Sequence, residues 1–562
     1  MLNHVKVLAT YQELFMDKLP REVVIEHIEK MPLLSSFILL SQISTDNVDE
    51  SILKQLYKEM YIDKLNKQLQ NVKTASNKQK QDVYNKLITN FEKAVQKNVV
   101  FSHQSILQLW KWLLAFGDIN KVQRFQEKPG SIYLTLYLSL AINDYLYTSP
   151  VEINEELYAE LFSNAVFNSK DHTFNTLCRT MLIYTEIAMN KELYYENEYL
   201  DINQDFYNLY GYSIKEYISV IFVLTSVFMK PKKLGEEWIR NIDELFAETK
   251  LETVAKEVLL SLMTDFNSIS KWAKEELDSS WNFLELSKKP LLQIDEKRFF
   301  PFSMKLVYEQ LFVNLFHKVR HCYEEKDRSF LTFYGKPFEK YAQQLAEHAT
   351  NQSKLHYTFI DEFRYGKGKS KHSPDILIKL GDKLLAIEVK SYRLTLPSIS
   401  QANIDSINYD TKKMIIDPIK QLHNRVRELR EEKHPSVDGV NEIYLMVVTQ
   451  GHFPTMEYYE TKIEKEIIEH IEIPIKGFYH LDIEEFENFC QVMERRRPIF
   501  RVLDNKNHKT NRYQSFNTFF IYNGYHLKHN KLFNEKFEHY IDEIGTAFFE
   551  DFVQRRKKKK KV

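Results

Sequence analysis

The chain has 562 residues, an apolar fraction of 43% and a formal net charge of −1. Because single hydrophobic cores rarely grow beyond about 250–300 residues, this length predicts at least two domains. The near-zero charge excludes a protein that coats nucleic acid over its whole surface, although it is compatible with a local basic channel.

No apolar run reaches the length of a membrane span, so we expect no transmembrane helix and no membrane partner. The segment Met1–Lys6 lacks the charged start and the apolar stretch of a signal peptide. Cys178, Cys322 and Cys490 show no zinc-site spacing and suit a reducing compartment. We therefore expect a cytoplasmic protein.

Residues 1–285 predict an all-α domain. Only four of the 13 glycines lie in the first 300 residues, and segments such as 23–31 and 105–114 carry the apolar spacing of helices. The five tryptophans of this region, which include Trp110 and Trp112, indicate core packing rather than a platform for stacking bases.

Prolines interrupt the helical pattern around Pro290 and Pro301, and proline disfavours helix at the residue before it. We therefore expect residues 286–329 to form a connector, which contains a helix from about Met304 to Tyr323.

Residues 330–495 predict an α/β domain with a mixed central sheet between helices. Its expected elements are a hairpin around residue 381, strands at 442–449 and 478–481, and an acidic helix at 483–492. Residues 496–562 predict a helical extension with a basic tail. In that tail the like-charge run Arg555–Lys561 favours a disordered, solvated segment, with nonspecific attraction to nucleic acid as the alternative.

The most informative pattern is the hairpin, in which Gly381-Asp382 separates two short apolar runs. If Leu380 faces Lys383, the numbers of facing residues sum to a constant, and Asp375 falls opposite Glu388. Directly opposed side chains share a face, with Cβ atoms about 5 Å apart. Lys390 lies two residues beyond Glu388, so strand alternation returns it to that face.

Two adjacent carboxylates repel unless a cation or a shared proton intervenes. Oxygen ligands without a nearby His or Cys cluster suit Mg²⁺, or Mn²⁺ in its place. A metal on Asp375 and Glu388, with Lys390 beside it, would suit phosphodiester hydrolysis. The alternative is a surface hairpin in which Glu388 and Lys390 form an exposed pair.

Pro374-Asp375, followed by Glu388-Val389-Lys390 after a strand-turn-strand spacer, resembles the pattern of the PD-(D/E)XK nuclease superfamily. The resemblance covers about 160 residues, from Phe330 to Cys490. It implies a restriction-endonuclease-like fold and a magnesium-dependent nuclease that acts on DNA rather than RNA. Other Glu-X-Lys triplets of the chain lie in charged, helix-like or turn-like surroundings.

In that superfamily an acidic residue on the preceding helix often completes the metal site, and a polar residue, commonly Gln, lies on the helix after the Lys strand. The corresponding candidates are Glu339, with Pro337 suited to the first turn of its helix, and Gln421, on a helix that Asp417-Pro418 would begin. An ordinary solvated acid and an ordinary helix glutamine are the alternatives.

A basic, glycine-punctuated loop immediately precedes Asp375. It could cradle nucleic-acid phosphates at the mouth of the site, and the alternative is a solvated loop that contacts nothing. Its basic residues are Arg364, Lys367, Lys369 and Lys371.

The expected function is thus a DNA endonuclease, and a helical domain fused to such a module resembles the layout of bacterial restriction or phage-defence effectors. That resemblance implies that residues 1–285 sense a trigger, hold a partner protein or mediate self-association. Two alternatives remain open. One is an inactive nuclease-like scaffold that binds nucleic acid or protein, and the other is an all-α interaction protein whose second domain is incidental.

Overall fold

The protein is described by a computed structural model. It describes residues 8–15, 17–45, 50–71, 76–97, 101–122, 125, 129–146, 154–169, 173–195, 198–229, 235–495 and 497–560. The chain divides into two compact units, the first formed by residues 1–153 and 219–314 and the second by residues 154–218 and 315–562.

The helices carry labels in chain order. Those before residue 315 are α1 Tyr11–Phe15, α2 Arg21–Lys30, α3 Leu33–Ile43, α4 Glu50–Asn71, α5 Asn77–Lys97, α6 His103–Phe116, α7 Pro129–Leu146, α8 Glu155–Phe167, α9 Thr173–Met181, α10 Ile202–Tyr210, α11 Ile214–Phe228, α12 Ile242–Leu245, α13 Glu252–Ser261, α14 Phe266–Glu275, α15 Leu284–Lys288 and α16 Met304–Tyr308. The later ones are α17 Val313–Arg320, α18 Ser329–Gln352, α19 Leu396–Ser400, α20 Ile404–Thr411, α21 Asp417–Glu431, α22 Glu457–Ile468, α23 Ile483–Glu494, α24 Ile499–Lys506, α25 Phe516–Tyr522, α26 Lys531–Phe548 and α27 Phe552–Lys560.

The strands are labelled in the same way. They are β1 Arg240–Asn241, β2 Met263–Asp265, β3 Leu291–Gln293, β4 Arg298–Pro301, β5 Thr358–Asp361, β6 Arg364–Tyr365, β7 Lys371–His372, β8 Ile376–Leu380, β9 Lys383–Lys390, β10 Glu442–Thr449 and β11 Gly477–Asp482.

The first unit is mainly helical but not all-α, which corrects the expectation for residues 1–285. Strands β1 and β2 lie within that range and join β3 and β4 in a small sheet of order β1-β4-β3-β2. The segment around Pro290 and Pro301 therefore forms the two central strands of this small sheet rather than a free connector. Its prolines are compatible with strand because they lie just before β3 and at the end of β4.

The tryptophans of the first unit serve as core residues, as the sequence indicates. Trp110, Trp112, Trp238 and Trp281 are all buried. The ring of Trp110 stacks on Phe37 at a centroid distance of 4.4 Å. The interior also includes polar residues such as Gln104, Gln108 and Lys111 of α6, which the apolar spacing does not mark.

The second unit is built on a mixed five-stranded sheet of order β11-β10-β9-β8-β5. Strands β9, β10 and β11 run parallel, whereas β8 is antiparallel to both β9 and β5. A mixed sheet in this half of the chain is what the sequence predicts, and β10 covers residues 442–449 as expected. Helix α21 packs on the face that carries Leu377, Leu384 and Ala386.

Residues 154–218 belong to the second unit, which differs from the expected boundary at residue 285. Aromatic and ionic contacts explain the difference. Phe162 of α8 packs against Phe453 and Tyr459, and Arg179 of α9 forms a buried ion pair with Glu487 of α23. The sequence marks these helices as helical but does not show which sheet they cover.

Two expectations about helices are also corrected. The helix expected over Met304–Tyr323 is two helices, α16 and α17. Pro337 lies buried in the interior of α18, not in its first turn, where a proline has no N–H for the helical hydrogen bond.

The C-terminal run was expected to be disordered, yet residues up to Lys560 form α27. Arg556 pairs with Glu538 and, at 2.5 Å, with Asp542 of α26. These ion pairs link the first half of α27 to α26. The side chains of residues 557–560 and the whole of residues 561–562 lie outside the described part, as do residues 1–7.

Among the described helices, none is by itself long and apolar enough to cross a bilayer. Helices α10 and α11 together, which are bent by 70° at their junction, have the length and composition of a span.

The buried pair between α9 and α23 generates the first prediction. Glu487 accepts from Arg179 Nε and Nη2 at 2.5 and 2.9 Å and from the Tyr341 hydroxyl at 2.6 Å. Replacing Arg179 by Met leaves Glu487 buried without its cation, so the free energy of unfolding should fall by about 3–5 kcal/mol. Urea unfolding followed by circular dichroism measures this loss.

Lys536 provides the control, because it pairs with Glu186 at 2.6 Å while both side chains are about one-third exposed. Lys536→Met should cost less than about 1 kcal/mol. If Arg179→Met and Lys536→Met lowered the free energy of unfolding equally, the buried Arg179–Glu487 pair would stabilise the packing of α9 on α23 no more than an exposed pair does.

Candidate functional site

The hairpin has the register expected from the sequence, because Leu380 pairs with Lys383 and Ile376 with Ile387. Gly381 has a φ of +60° at the turn, a conformation that glycine adopts without steric cost. Asp375 directly precedes β8, and its Oδ2 accepts from the backbone N–H of Val389, the residue after Glu388. The hairpin thus brings Asp375 to the end of β9 that carries Glu388 and Lys390.

Glu388 is held between two cations. Its Oε1 lies 2.6 Å from Lys390 Nζ, and its Oε2 accepts from Arg425 Nη1 at 2.6 Å. The Glu388 side chain is 1% exposed, whereas those of Arg425 and Lys390 are 19% and 35% exposed. The exposed-pair alternative therefore does not describe Glu388, because the carboxylate is inside the protein.

Asp375 is buried beside Glu388 and has a different environment. Its Oδ2 accepts from the Val389 backbone N–H at 2.7 Å, and its carbonyl accepts from Gln343 Nε2 of α18 at 3.0 Å. Burial, the charge of Glu388 and the charge of Glu339 together raise the pKa of Asp375 well above its usual value. Burial and the neighbouring carboxylates thus favour the protonated form of Asp375.

Glu339 lies on α18 and belongs electrostatically to the same group. Burial raises its pKa, and the negative charges of Glu362 and Glu388 add to that effect, while Lys336 and Lys340 oppose it. Its Oε2 lies 3.7 Å from Lys336 Nζ, but its Oε1 is buried without a hydrogen-bond partner. An orphaned buried carboxylate oxygen is not what an ordinary solvated acid has.

Gln421 does not reach the carboxylates by any described hydrogen bond, and its side chain is exposed. The helix that carries it also begins elsewhere than expected. Asp417 is not an N-cap, since α20, a π-helical segment Lys412–Ile416 and α21 run on continuously, and Asp417 instead accepts from Lys413 Nζ at 3.0 Å. One turn beyond Gln421 on the same helix, Arg425 makes the contact with Glu388.

Arg425 is the site residue that sequence reasoning missed. Besides Glu388 it donates to the Ser373 carbonyl at 3.3 Å, so it links the hairpin to α21. A signal for it was present: Arg425 follows Gln421 by one helical turn, and residues at i and i+4 share a helix face.

The basic loop before Asp375 forms a small hairpin from β6 and β7, joined by a 3₁₀ turn over Lys367–Lys369. Lys371 pairs with Glu428 of α21 at 3.0 Å. Arg364, Lys367 and Lys369 are exposed and form no ion pair with the described residues. Of the four basic residues expected to bind phosphates, Lys371 is thus paired with Glu428, whereas the other three face solvent.

The side chains around Asp375 resemble, in part, the ligand set that a divalent cation requires. The donor set consists only of carboxylate oxygens, and Glu339 Oε1 is a buried oxygen without a partner; both features suit Mg²⁺ or Mn²⁺. Within the described ranges, no group of three or more His, Cys, Asp or Glu side chains is arranged to hold a metal. The residues thus fit a hard cation in chemistry, although a three-ligand group is not assembled.

Comparison with protein-family models, with curated proteins and with solved structures found no match to this chain.

The raised pKa of Asp375 generates a prediction about stability in EDTA. Because its folded-state pKa lies above the unfolded value of about 3.9, folding stability is lost as the pH rises through the folded pKa. Asp375→Asn should therefore have a higher Tm than the wild type at pH 8, by about 1–2 °C for each kcal/mol relieved in a unit of this size. The difference should vanish near pH 4, where both side chains are neutral.

Thermal unfolding from pH 4 to pH 8 measures this difference. Asp382→Asn at the exposed turn of the same hairpin is the control and should follow the wild type. Parallel curves for wild type and Asp375→Asn would contradict the raised pKa of Asp375.

Proposed function

We propose that the protein is a divalent-metal-dependent endonuclease that hydrolyses phosphodiester bonds of DNA. The observation that carries the proposal is the convergence of Asp375, Glu388 and Lys390 at the end of one hairpin, with Glu339 Oε1 buried and unpartnered beside them. The resemblance of these residues to the PD-(D/E)XK pattern supports the same chemistry. The choice of DNA rests on that resemblance alone.

Each residue of the group has a definable task in hydrolysis. Asp375, Glu388 and Glu339 would hold the cation, and the chemistry supplied by such a cation is polarisation of a phosphodiester oxygen and a lower pKa for a bound water. Lys390, 35% exposed and tethered to Glu388, would orient that water or stabilise the negative charge of the phosphorane. Water adds to phosphorus as the P–O bond to the leaving nucleotide breaks, which leaves one phosphate monoester and one hydroxyl.

The helical first unit is proposed as the regulatory part. A helical unit joined in one chain to a nuclease unit resembles the organisation of restriction and phage-defence effectors, so we propose that it senses a trigger, holds a partner protein or mediates self-association.

A second candidate function is a nuclease-like scaffold that binds nucleic acid without cutting it. The observation in its favour is that both oxygens of Glu388 already contact protein cations, Lys390 and Arg425. Against it stands the cost of burying Asp375 and Glu339 near Glu388, for which simple binding has no use.

The test is cleavage by purified full-length protein of plasmid, linear duplex, single-stranded DNA and RNA, each with Mg²⁺, Mn²⁺ or EDTA. Wild type should cut DNA with either metal and not with EDTA. Asp375→Ala should abolish cutting, and Lys390→Ala should lower kcat by about 10²–10³-fold with little change in binding.

Lys383→Ala is the matched control, since Lys383 lies at the other end of β9 and pairs with Glu442. It should cut like the wild type. Absence of metal-dependent cleavage from every substrate, in a sample that binds DNA, would favour the scaffold.

The loop generates a prediction about DNA binding. Replacing Lys367 and Lys369 together by Gln should weaken binding to all sequences alike and reduce the slope of log K against log[salt] by about two counterions' worth. Lys371→Gln should leave that slope unchanged because Lys371 is engaged by Glu428. Fluorescence anisotropy across a salt series in Ca²⁺ or EDTA measures both; equal slopes for all three proteins would mean that the loop does not contact phosphates.

A further inference from the structure

We propose that Arg425 is an internal counter-ion of Glu388, which a divalent cation must displace before the site is competent. The inference rests on the proposed function, since it concerns how the same site acquires its metal. It assigns a role to a residue on α21 that the motif does not contain.

The contacts show that Arg425 neutralises a buried charge. Its Nη1 lies 2.6 Å from Glu388 Oε2, and the Glu388 side chain is 1% exposed. A buried carboxylate without a cation is strongly unfavourable, so some positive group must accompany Glu388 in the metal-free protein. Lys390 occupies the other oxygen, which leaves Oε2 to Arg425.

The anchoring of Arg425 is asymmetric. Its second described contact is a hydrogen bond of 3.3 Å from the same Nη1 to the Ser373 carbonyl, which is longer than the bond to Glu388. The side chain is 19% exposed, so the guanidinium has access to solvent when it leaves Oε2. The geometry therefore allows Arg425 to exchange Glu388 for water without unfolding of α21.

A cation on the carboxylates and the guanidinium compete for the same charge. Like charges about 5 Å apart repel by several kcal/mol even at an effective dielectric constant of about 20. Arg425 thus stabilises the metal-free site and lowers its affinity for metal, and it sets the metal concentration at which the site fills. A purely structural arginine would have the opposite effect, because its loss would disorder Glu388 and weaken metal binding.

The test is isothermal titration of full-length protein with Mn²⁺. Arg425→Gln should bind Mn²⁺ about tenfold more tightly than the wild type, a change of about 1.4 kcal/mol. Arg425→Lys retains the charge and should stay within about twofold of the wild-type Kd. Saturating Mn²⁺ should also raise the Tm of Arg425→Gln more than that of the wild type, since metal then replaces the missing cation.

Arg427→Gln is the matched control. It lies on the same helix but pairs with Glu431 and Glu472, so its Kd for Mn²⁺ should equal the wild-type value. Equal or weaker Mn²⁺ binding by Arg425→Gln overturns the inference, as does failure of both proteins to bind Mn²⁺.

A measurement on the wild type covers the case in which Arg425→Gln does not fold. The Nε–Hε resonance of Arg425 is identified in ¹⁵N-arginine-labelled protein by its absence from the Arg425→Lys spectrum. Titration with Mg²⁺ should move this resonance towards the position of exposed arginines, and an unmoved resonance at saturation overturns the inference. Failure of the proposed function is separate, since it would appear as a wild type that binds Mn²⁺ but releases no cleaved DNA.

Discussion

The burial of Glu388 is the constraint on which the candidate site depends. A carboxylate that is 1% exposed at the end of a central strand requires positive charge from its neighbours. Lys390 supplies one cation from the same strand and Arg425 supplies another from α21. The position of α21 against the sheet is thus fixed partly by electrostatics and partly by the apolar residues that pack beneath it.

The same problem recurs in the core of the second unit. Helix α23 carries Glu484, Glu485, Glu487 and Glu494, all of which are buried. Arg179 and Tyr341 satisfy Glu487, and the side chain of Glu485 caps its own helix at Asp482 and accepts from the Phe516 N–H at 2.7 Å. Burial raises the pKa of Glu485 to about 7. Acids in this unit are therefore kept inside by specific partners drawn from distant parts of the chain.

The two groups of buried acids share incomplete satisfaction but differ in their neighbours. Around α23, Glu487 pairs with both an arginine and a tyrosine, whereas Glu494 Oε1 is buried without a hydrogen-bond partner. At the hairpin, Glu339 Oε1 also has no partner, and the negative charges of Glu388 and Glu339 add to burial in raising the pKa of Asp375. The hairpin is the candidate for chemistry because its acids lie beside the partly exposed Lys390, and strongly perturbed pKa values concentrate at functional sites.

Local sequence determined the hairpin, its register and the shared face of Asp375, Glu388 and Lys390, because a two-residue turn and strand alternation leave one geometry. It also determined β10, the start of α23 and the mixed sheet. It did not determine that residues 154–218 join the second unit, that Pro337 lies inside α18, that Asp417 continues a helix or that α27 is ordered. Each of these depends on partners far away in the chain, such as Glu487 for Arg179 and Asp542 for Arg556. The role of Arg425 likewise depends on distant partners. The sequence placed Arg425 on a helix, but only tertiary packing decided that its guanidinium, and not the amide of Gln421, reaches the buried carboxylate of Glu388.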